Sequence, residues 1–360
     1  MRHFPAAVVL LVSALCGFLA SKGGVPLAWV LGPMVPTAIG SIRGIQVIAP
    51  RRGRQLGQLM IGTSIGLSLT VAAFEMIVIW FPVMLLTALV SILATGLLCV
   101  PFSRASRVDI PTAFFSLTPG GLAEMARTGE KEGAQREPVA MTQTIRVALL
   151  VCILPSLLLH FGIDGGIPQA TGRPLLPLPE LVFVFACTGA AVFLMRFTGV
   201  NNPWMIGGLI GAGAIAASGL VDGRVPYALY ALGQFMIGIA IGARFNRENL
   251  VKLPRVSVMA VLFIVLMTSM LFVYAVLLYL ATGLDLSSMA LAASPGGLAE
   301  MALTAQILHL NVGLVTAFHV VRSFIVNAFS QHIFRLFKRI GLFDGIAAML
   351  DRMAGRAPSA

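Results

Sequence analysis

Long apolar stretches separated by short basic segments make up most of the 360-residue chain. An α-helix needs roughly 20 mainly apolar residues to cross the hydrocarbon core of a bilayer. Ten stretches reach or approach this length, which predicts ten transmembrane helices. They lie near residues 5–21, 25–42, 56–73, 76–101, 138–160, 181–196, 200–220, 227–243, 256–281 and 312–334.

Two further helical segments, about residues 110–127 and 286–306, are each interrupted by the tripeptide Pro-Gly-Gly. Proline ends a helical piece, and glycine permits a turn that other residues make only at a cost. Such interruptions inside apolar sequence are typical of broken or re-entrant helices. We therefore expect one such element beside each group of five spans.

The composition supports a membrane protein. Apolar residues make up 58% of the chain and charged residues only 11%, whereas about 25% charged residues is usual in soluble domains. So few polar groups cannot cover a soluble surface, which excludes a soluble enzyme and predicts an all-α polytopic membrane protein. The formal charge of +11 comes from basic residues between apolar runs, where they orient helices against the cytoplasmic leaflet and do not indicate nucleic-acid binding.

The first apolar run, which follows Met1-Arg2-His3, has the form of a signal peptide. Residues 181–195 repeat this segment at a position where no signal peptide can act. We therefore expect the first run to be a retained helix.

An internal duplication is the clearest feature of the sequence. Residues 56–62, Leu-Gly-Gln-Leu-Met-Ile-Gly, return at 232–238 with one change, and residues 119–125, Pro-Gly-Gly-Leu-Ala-Glu-Met, return unchanged at 295–301. Both pairs are 176 residues apart. Matches at one fixed offset indicate a duplicated unit and not a shared apolar bias. We predict a first membrane repeat at 1–165, a linker at 166–179, a second repeat at 180–340 and a cytoplasmic tail at 341–360.

The distribution of basic residues favours inverted repeats. Five spans per repeat and a cytoplasmic N-terminus place 20 Lys and Arg residues in inside loops and three outside. Six spans per repeat, with parallel halves, give 14 inside and nine outside, so the positive-inside rule selects the inverted topology with both termini cytoplasmic. Inverted repeats with interrupted helices are typical of secondary transporters, although a duplicated scaffold without transport activity is the alternative.

The Pro-Gly-Gly elements are candidate binding sites. A helix that restarts after the turn exposes backbone N–H groups and partial positive charge, which suit an anionic ligand group. The alternative is that the glutamates of the first turn only cap their own helices. The candidate substrate-binding residues are Ser116, Thr118, Pro119, Gly120, Gly121 and Glu124 in the first copy and Ser294, Pro295, Gly296, Gly297 and Glu300 in the second.

An ionised carboxylate within a membrane is costly unless it is paired or faces water. Arg146 and Arg322 each follow a glutamate by 22 residues, which predicts the ion pairs Glu124–Arg146 and Glu300–Arg322, or the crossed pairs between repeats. Such pairs clamp crossing helices in one interpretation. In the other, the carboxylates exchange a proton or cation while the arginines hold an anionic substrate.

Gln58 and Gln234 occupy equivalent positions on helices with a glycine-rich face. The glycines indicate close helix packing. An intramembrane glutamine also needs hydrogen-bond partners, so either amide could contact the Pro-Gly-Gly turns or the substrate.

The sequence predicts no metal site and no cofactor. Its five histidines include no pair four residues apart beside a carboxylate, and its four cysteines show no Cys-x-x-Cys spacing. A Walker A sequence is also missing, so ATP coupling within this chain is unsupported. His319 stands where the first repeat has Gln143; it either titrates beside Arg322 or is a satisfied core histidine.

With both copies of both motifs intact, the sequence resembles the bacterial AbrB membrane-protein family over about residues 5–338. Members are labelled ammonia monooxygenases or regulators of gene expression, and the family looks related to inverted-repeat transporters. The name is shared with a small soluble DNA-binding regulator, which this chain does not resemble. The histidines and cysteines do not support the oxygenase label.

These observations predict a bacterial inner-membrane secondary transporter of a small polar or anionic solute, coupled to protons or sodium ions. The expected partners are the lipid bilayer, the solute and the coupling ion, without nucleic acid, and a homodimer is left open. A non-transporting membrane regulator is the alternative, and an oxygenase-like enzyme is a distant third.

Overall fold

The computed structural model describes residues 4–45, 51–68, 71–161, 173–198, 202–245 and 247–353. Residues 166–172 of the expected linker and 354–360 of the expected tail lie outside this range. Within it the chain forms α-helices, and the only β pairing is an isolated bridge between Leu175 and Arg224. The all-α expectation is therefore confirmed.

The first repeat contains α1 (Phe4–Lys22), α2 (Ala28–Ile42), α3 (Arg51–Ser68), α4 (Val71–Ser106), α5 (Ile110–Leu117), α6 (Leu122–Glu130) and α7 (Arg136–His160). The second contains α8 (Leu178–Met195), α9 (Pro203–Ala217), α10 (Tyr227–Gly242), α11 (Arg247–Lys252), α12 (Pro254–Thr282), α13 (Leu286–Ala293), α14 (Leu298–Ile307) and α15 (Val312–Arg339). Helix α16 (Leu342–Met353) follows.

Among the described residues, five helices are long and apolar enough to cross a membrane, in α4, α7, α8, α12 and α15. Four of the other expected spans form shorter apolar helices, in α1, α2, α9 and α10. The fifth is α3, whose first turn is rich in arginine. The chain is thus compatible with a multi-pass membrane protein.

The two repeats differ at α4, whose 36 residues correspond to α11 and α12 together. The second copy is interrupted at Leu253, which has φ −124° and ψ 46°. Leu253 precedes Pro254, and proline disfavours the α conformation of the residue before it. The interruption therefore follows directly from the Leu-Pro sequence.

Glycines allow α3 of the first repeat to pack on α9 of the second. A Cβ on Gly62 would meet the carbonyl oxygen of Met205, and a Cβ on Gly66 that of Leu209, which lies 2.5 Å away. Because later residues of α3 meet later residues of α9, these two helices run in the same direction.

The equivalent pair, α10 and α2, repeats this packing. A Cβ on Gly238 would meet the carbonyl of Val30, and one on Gly242 would lie 2.5 Å from the carbonyl oxygen of Met34. Helices α2 and α10 therefore also run in the same direction. Each repeat thus packs its third helix on the second helix of the other.

Substituting Gly62 with alanine is expected to destabilise the protein by about 1–3 kcal/mol, because the new methyl group overlaps main-chain atoms of α9. Gly189→Ala is the matched control, since Gly189 is also helical and nothing lies within 4 Å of its Cβ position. Thermal unfolding in detergent measures the stability of both variants. Equal stability of the two variants would show that the α3–α9 contact can open without cost.

Helices α5 and α6 double back as a helical hairpin. The Asp109 carboxylate accepts a hydrogen bond from the backbone N–H of Thr112 at 2.7 Å, which caps α5. Beyond α6, Gln135 donates its backbone N–H to Thr112 Oγ1 at 2.8 Å and its amide to Asp109 Oδ2 at 3.1 Å. The two ends of the segment are therefore neighbours, and residues 109–135 are called hairpin 1.

Helices α13 and α14 form the equivalent hairpin. Asp285 caps α13 by accepting from the backbone N–H of Ser288 at 2.7 Å. Beyond α14, the backbone N–H of Asn311 donates to Ser288 Oγ at 3.3 Å. Residues 285–311 are called hairpin 2.

The residues expected as a cytoplasmic tail include a docked helix. Arg104 of α4 forms two hydrogen bonds with the Asp351 carboxylate, at 2.8 and 2.9 Å. Phe343 packs its ring 5.6 Å from that of Phe334 and 6.4 Å from that of Phe114 in hairpin 1. Helix α16 thus packs on α4 and α15 and contacts Phe114 of hairpin 1.

Candidate functional site

A cavity of about 590 Å³ lies between the two hairpins. Both Pro-Gly-Gly turns contribute to it, through Pro119, Gly120 and Gly121 of hairpin 1 and Gly296 and Gly297 of hairpin 2. The segments that the sequence singled out are therefore brought together at one site.

Two buried arginines donate hydrogen bonds to the hairpin tips, which are the two Pro-Gly-Gly turns and the residue before each. Arg146 of α7 donates from Nη1 to the carbonyl of Thr118 at 2.9 Å and from Nη2 to that of Gly120 at 3.0 Å. Arg322 of α15 donates in the same way to the carbonyls of Ser294 and Gly296. These carbonyls follow the C-terminal ends of α5 and α13, where partial negative charge favours a cation.

The direct ion pairs expected from the sequence are not formed. Among the described residues, neither Glu124 nor Glu300 lies within 4 Å of a basic nitrogen. The physical reason is that the guanidinium groups of Arg146 and Arg322 are engaged by the tip carbonyls. The crossed pairs, Glu124–Arg322 and Glu300–Arg146, are not formed either.

The two glutamates instead fold back over the turns. Oε2 of Glu124 lies against Gly121, and Oε2 of Glu300 against Gly297, so closely that a Cβ on either glycine would collide. The N-cap residues, Gly121 and Gly297, have no side chain that could cap these helices. The glutamate carboxylates lie at the helix N-termini instead, and both glutamates line the cavity.

Each arginine also has a donor without a partner. Nε of Arg146 and Nε of Arg322 are buried and make no hydrogen bond, and the two residues are only 3% and 2% exposed. Both side chains line the cavity. Two guanidinium charges beside two helix N-termini make the cavity a site suited to an anionic group.

Gln143 and His319 stand at equivalent positions and brace the two hairpins. The Gln143 amide donates to the carbonyls of Phe115 at 3.0 Å and Thr118 at 2.8 Å. His319 contacts the carbonyl of Leu291 through Nε2 at 3.0 Å and Arg322 through Nδ1 at 2.7 Å. Arginine can only donate, so Nδ1 accepts and the proton lies on Nε2. His319 is thus a satisfied core histidine that positions Arg322.

Replacing His319 with glutamine is expected to leave folding nearly unchanged, because glutamine braces the equivalent hairpin in the first repeat. His319→Leu removes the hydrogen bond to the Leu291 carbonyl and the one from the charged Arg322 guanidinium, and a hydrogen bond to a charged group contributes about 1.5–3 kcal/mol. Thermal unfolding of the two variants distinguishes these cases. Equal losses for both would mean that glutamine does not substitute for the imidazole.

Some predicted binding residues lie outside the cavity lining. Thr118 Oγ1 donates to the Phe114 carbonyl at 2.7 Å, and Ser294 Oγ donates to the Leu291 carbonyl at 2.7 Å. These hydroxyls therefore satisfy the ends of the first hairpin helices and do not face the cavity. Within the described part of the chain, the candidates that the lining does not include are Ser116, Thr118, Ser294, Pro295 and Gln234.

Several lining residues were not predicted from the sequence. The cavity also contacts Arg54, Arg244, Asn202 and Asn327. Gln58, a predicted residue, donates to Asn202 Oδ1 at 3.4 Å. The basic residues were assigned to loops, and their approach to the cavity depends on the packing of α3 against α9 and α10, which no local motif encodes.

The cavity lies on one side of the hairpin tips only. Arg54 and Gln58 of α3 line it, whereas their equivalents in α10, Tyr230 and Gln234, do not. On the opposite side the Tyr230 hydroxyl donates to Gln306 Oε1 of α14 at 2.9 Å. Buried apolar residues of both repeats pack together beside the turns, including Ile61 and Ile65 of the first repeat and Ile206 and Ile237 of the second. Equivalent residues of the two repeats therefore have different surroundings: those of α3 line the cavity and those of α10 do not.

The base of hairpin 1 is tied to α15. Glu132 accepts hydrogen bonds from Gln331 at 2.6 Å and from Arg335 Nε at 2.9 Å. Partial burial acts to raise the pKa of Glu132, but these two hydrogen bonds and the Arg335 charge outweigh it and lower the pKa below its usual value. The carboxylate is thus held ionised at the edge of the site.

The residues that the structure describes contain no group of three or more His, Cys, Asp or Glu side chains placed to hold a metal ion. The four cysteines are free.

Comparison with known proteins gives a consistent family assignment. A family model described as "Transition state regulatory protein AbrB" matches residues 29–338. The chain is 28% identical to "Uncharacterized protein YhjN" of Bacillus subtilis, over 90% of this chain and 91% of that protein. It is 27% identical to "Putative regulator AbrB" of Escherichia coli, over 86% of this chain and 88% of that protein.

Proposed function

Because the chain belongs to the AbrB family, whose model covers most of its length, we propose that it is a secondary transporter of a small anionic solute in the bacterial inner membrane. The observation that carries this proposal is the meeting of two arginine-tethered hairpin tips at a single cavity. Transporters built from repeats bind their substrates at such junctions of interrupted helices.

Helix directions support an inverted arrangement of the repeats. Helix α8 packs antiparallel to α9, since Gly207 meets Val192 and Gly211 meets Thr188. The segment before α8 is tied to the segment before α10 by the Leu175–Arg224 bridge. Helix α10 therefore starts at the end where α9 finishes and runs antiparallel to it. Because α9 runs parallel to α3, equivalent helices α3 and α10 run in opposite directions.

The charge of the cavity favours an anion. Four arginines line it, Arg54, Arg146, Arg244 and Arg322, against two glutamates. Excess positive charge in a largely membrane-buried site is costly unless a counter-charge is bound. A solute with one or more carboxylate groups would supply that charge and accept from the backbone N–H groups at the two helix N-termini.

Glu124 and Glu300 are the proposed coupling groups. Each is partly exposed and lines the cavity beside the turn of its own hairpin. A carboxylate at the proposed anion site repels the solute when ionised and does not when it is neutralised by a proton or a sodium ion. Binding of the solute and of the coupling ion would thus favour each other.

A ligand screen tests the proposal directly. Purified protein in detergent is mixed with organic acids, amino acids and amines, and a rise in unfolding temperature identifies binding. The compound found is then supplied to proteoliposomes under imposed proton or sodium gradients. We expect an organic acid to stabilise the protein and to accumulate with one gradient. Stabilisation by amines alone, or binding without uptake, would contradict the assignment.

A second function, control of gene expression without transport, is suggested by the printed name of the Escherichia coli relative. The two functions separate in a deletion strain with a transcriptional phenotype. If the chain acts by transport, the double variant Glu124→Gln, Glu300→Gln fails to restore the phenotype. Rescue by this variant would favour a regulator acting through protein contacts.

A further inference from the structure

The hydrogen bond that closes one side of the cavity has a counterpart in the other repeat. Tyr230 of α10 donates to Gln306 of α14 at 2.9 Å on the side opposite the cavity. Subtracting the 176-residue offset of the duplication gives Arg54 of α3 and Glu130 of α6. The counterparts are thus a cation and an anion.

In this structure Arg54 and Glu130 lie on the side of the hairpin tips that the cavity occupies, which is called the open side. Arg54 lines the cavity. Glu130, in the last turn of α6, has a 43% exposed side chain and lies 3.8 Å from Nη1 of Arg136. An exposed pair at this distance contributes little to stability, so Glu130 can exchange it for another partner at small cost.

Helix packing shows the same asymmetry. The second helix of hairpin 2, α14, packs against α3 of the first repeat, whereas the equivalent packing of α6 on α10 is less extensive. On the side opposite the cavity, hairpin 2 therefore packs against a helix of the other repeat. Because Gln306 of α14 also bonds to Tyr230 of its own repeat, an exchange of roles between the repeats would bring α6 against α10 of the other repeat and Glu130 towards α3 of its own.

We propose that Arg54 and Glu130 form an ion pair that closes the cavity on its present open side when the repeats exchange roles. This inference rests on the proposed transport function. One side of the cavity is then closed by the Tyr230–Gln306 hydrogen bond and the other by the Arg54–Glu130 ion pair, and the two contacts alternate. Because one is ionic and the other neutral, salt weakens only the ion pair.

Cross-linking tests the pair without any solute. Cys16, Cys99, Cys152 and Cys187 are first replaced by alanine or serine. Two double variants are then compared in membranes treated with a bifunctional maleimide whose length matches two extended side chains, Tyr230→Cys with Gln306→Cys and Arg54→Cys with Glu130→Cys. We expect both pairs to cross-link, since the reagent spans the distance that the two side chains of each pair span when they touch, whereas a direct disulfide requires Cα atoms within about 7 Å. Cross-linking of the Tyr230–Gln306 pair alone would overturn the proposal.

Charge reversal provides the second test. Arg54→Glu and Glu130→Arg are each expected to slow uptake of the solute found in the screen by about tenfold, which corresponds to about 1.4 kcal/mol. The double reversal restores the opposite charges and should return uptake to within about twofold of the original. Arg136→Gln is the control and should have little effect. Failure of the double variant to recover would contradict the ion pair.

The two tests separate the ion pair from the transport proposal. If both cysteine pairs cross-link but no solute is transported, the alternation stands and the solute assignment fails. If transport is measured and the Arg54–Glu130 pair does not cross-link, the ion pair is wrong and the transport proposal stands.

Discussion

Replacing Glu124 or Glu300 with glutamine is expected to reduce gradient-driven uptake by about 100-fold or more, the scale associated with losing a group that transfers a proton. Glutamine keeps the size of the side chain over Gly121 or Gly297 but cannot bind a proton or neutralise a sodium ion. Uptake into proteoliposomes measures the effect, and the amount of folded protein recovered shows that expression persists.

Glu137→Gln is the matched control for this experiment, because Glu137 is exposed in the first turn of α7 and does not line the cavity. It should transport at the original rate. If Glu124→Gln and Glu300→Gln also transport at that rate, neither carboxylate takes part in coupling, and the glutamates only contribute to their helix N-termini.

Replacing Arg146 or Arg322 with methionine is expected to lower the stability of the protein by about 3–5 kcal/mol and to abolish uptake. The side chain is similar in length, but two tip carbonyls lose a charged donor, and hydrogen bonds to charged groups contribute about 1.5–3 kcal/mol each. The hairpin tip is then free to leave its position at the cavity. Thermal unfolding and uptake measure the two effects separately.

Arg127→Met is the control, since Arg127 is exposed on α6 of the same hairpin. It should change stability by less than about 0.5 kcal/mol, as is usual for surface positions. Arg146→Met and Arg322→Met proteins that unfold at the original temperature would show that the guanidinium groups do not hold the tips.

The sequence predicted the elements of the site better than their contacts. The identical Pro-Gly-Gly-Leu-Ala-Glu-Met copies identified both hairpin turns, because proline and paired glycines change the backbone locally. The expectation of Glu–Arg ion pairs failed, because sequence spacing does not show that the carbonyls before Pro119 and after Pro295 compete for the same guanidinium groups.

The lining residues Arg54, Arg244 and Asn202 show a second reason why the sequence did not predict the whole site. Each stands at the end of a helix, where a basic or amide residue is ordinarily solvated. Their position at the cavity comes from glycine-mediated packing between repeats, in which Gly62 lies against Met205. Contacts between residues more than 100 positions apart leave no periodic pattern in either segment.

Gly57 and Gly233 occupy the same position in the two repeats and touch each other. A Cβ on Gly57 would lie 2.7 Å from the carbonyl oxygen of Gly233, and a Cβ on Gly233 would lie 3.2 Å from that of Gly57. A contact of one position with its own copy is isologous. Under the inverted arrangement, a half-length ancestor could have buried this glycine only against an identical molecule inserted upside down. The gene fusion would then have removed the need to insert one polypeptide in two orientations.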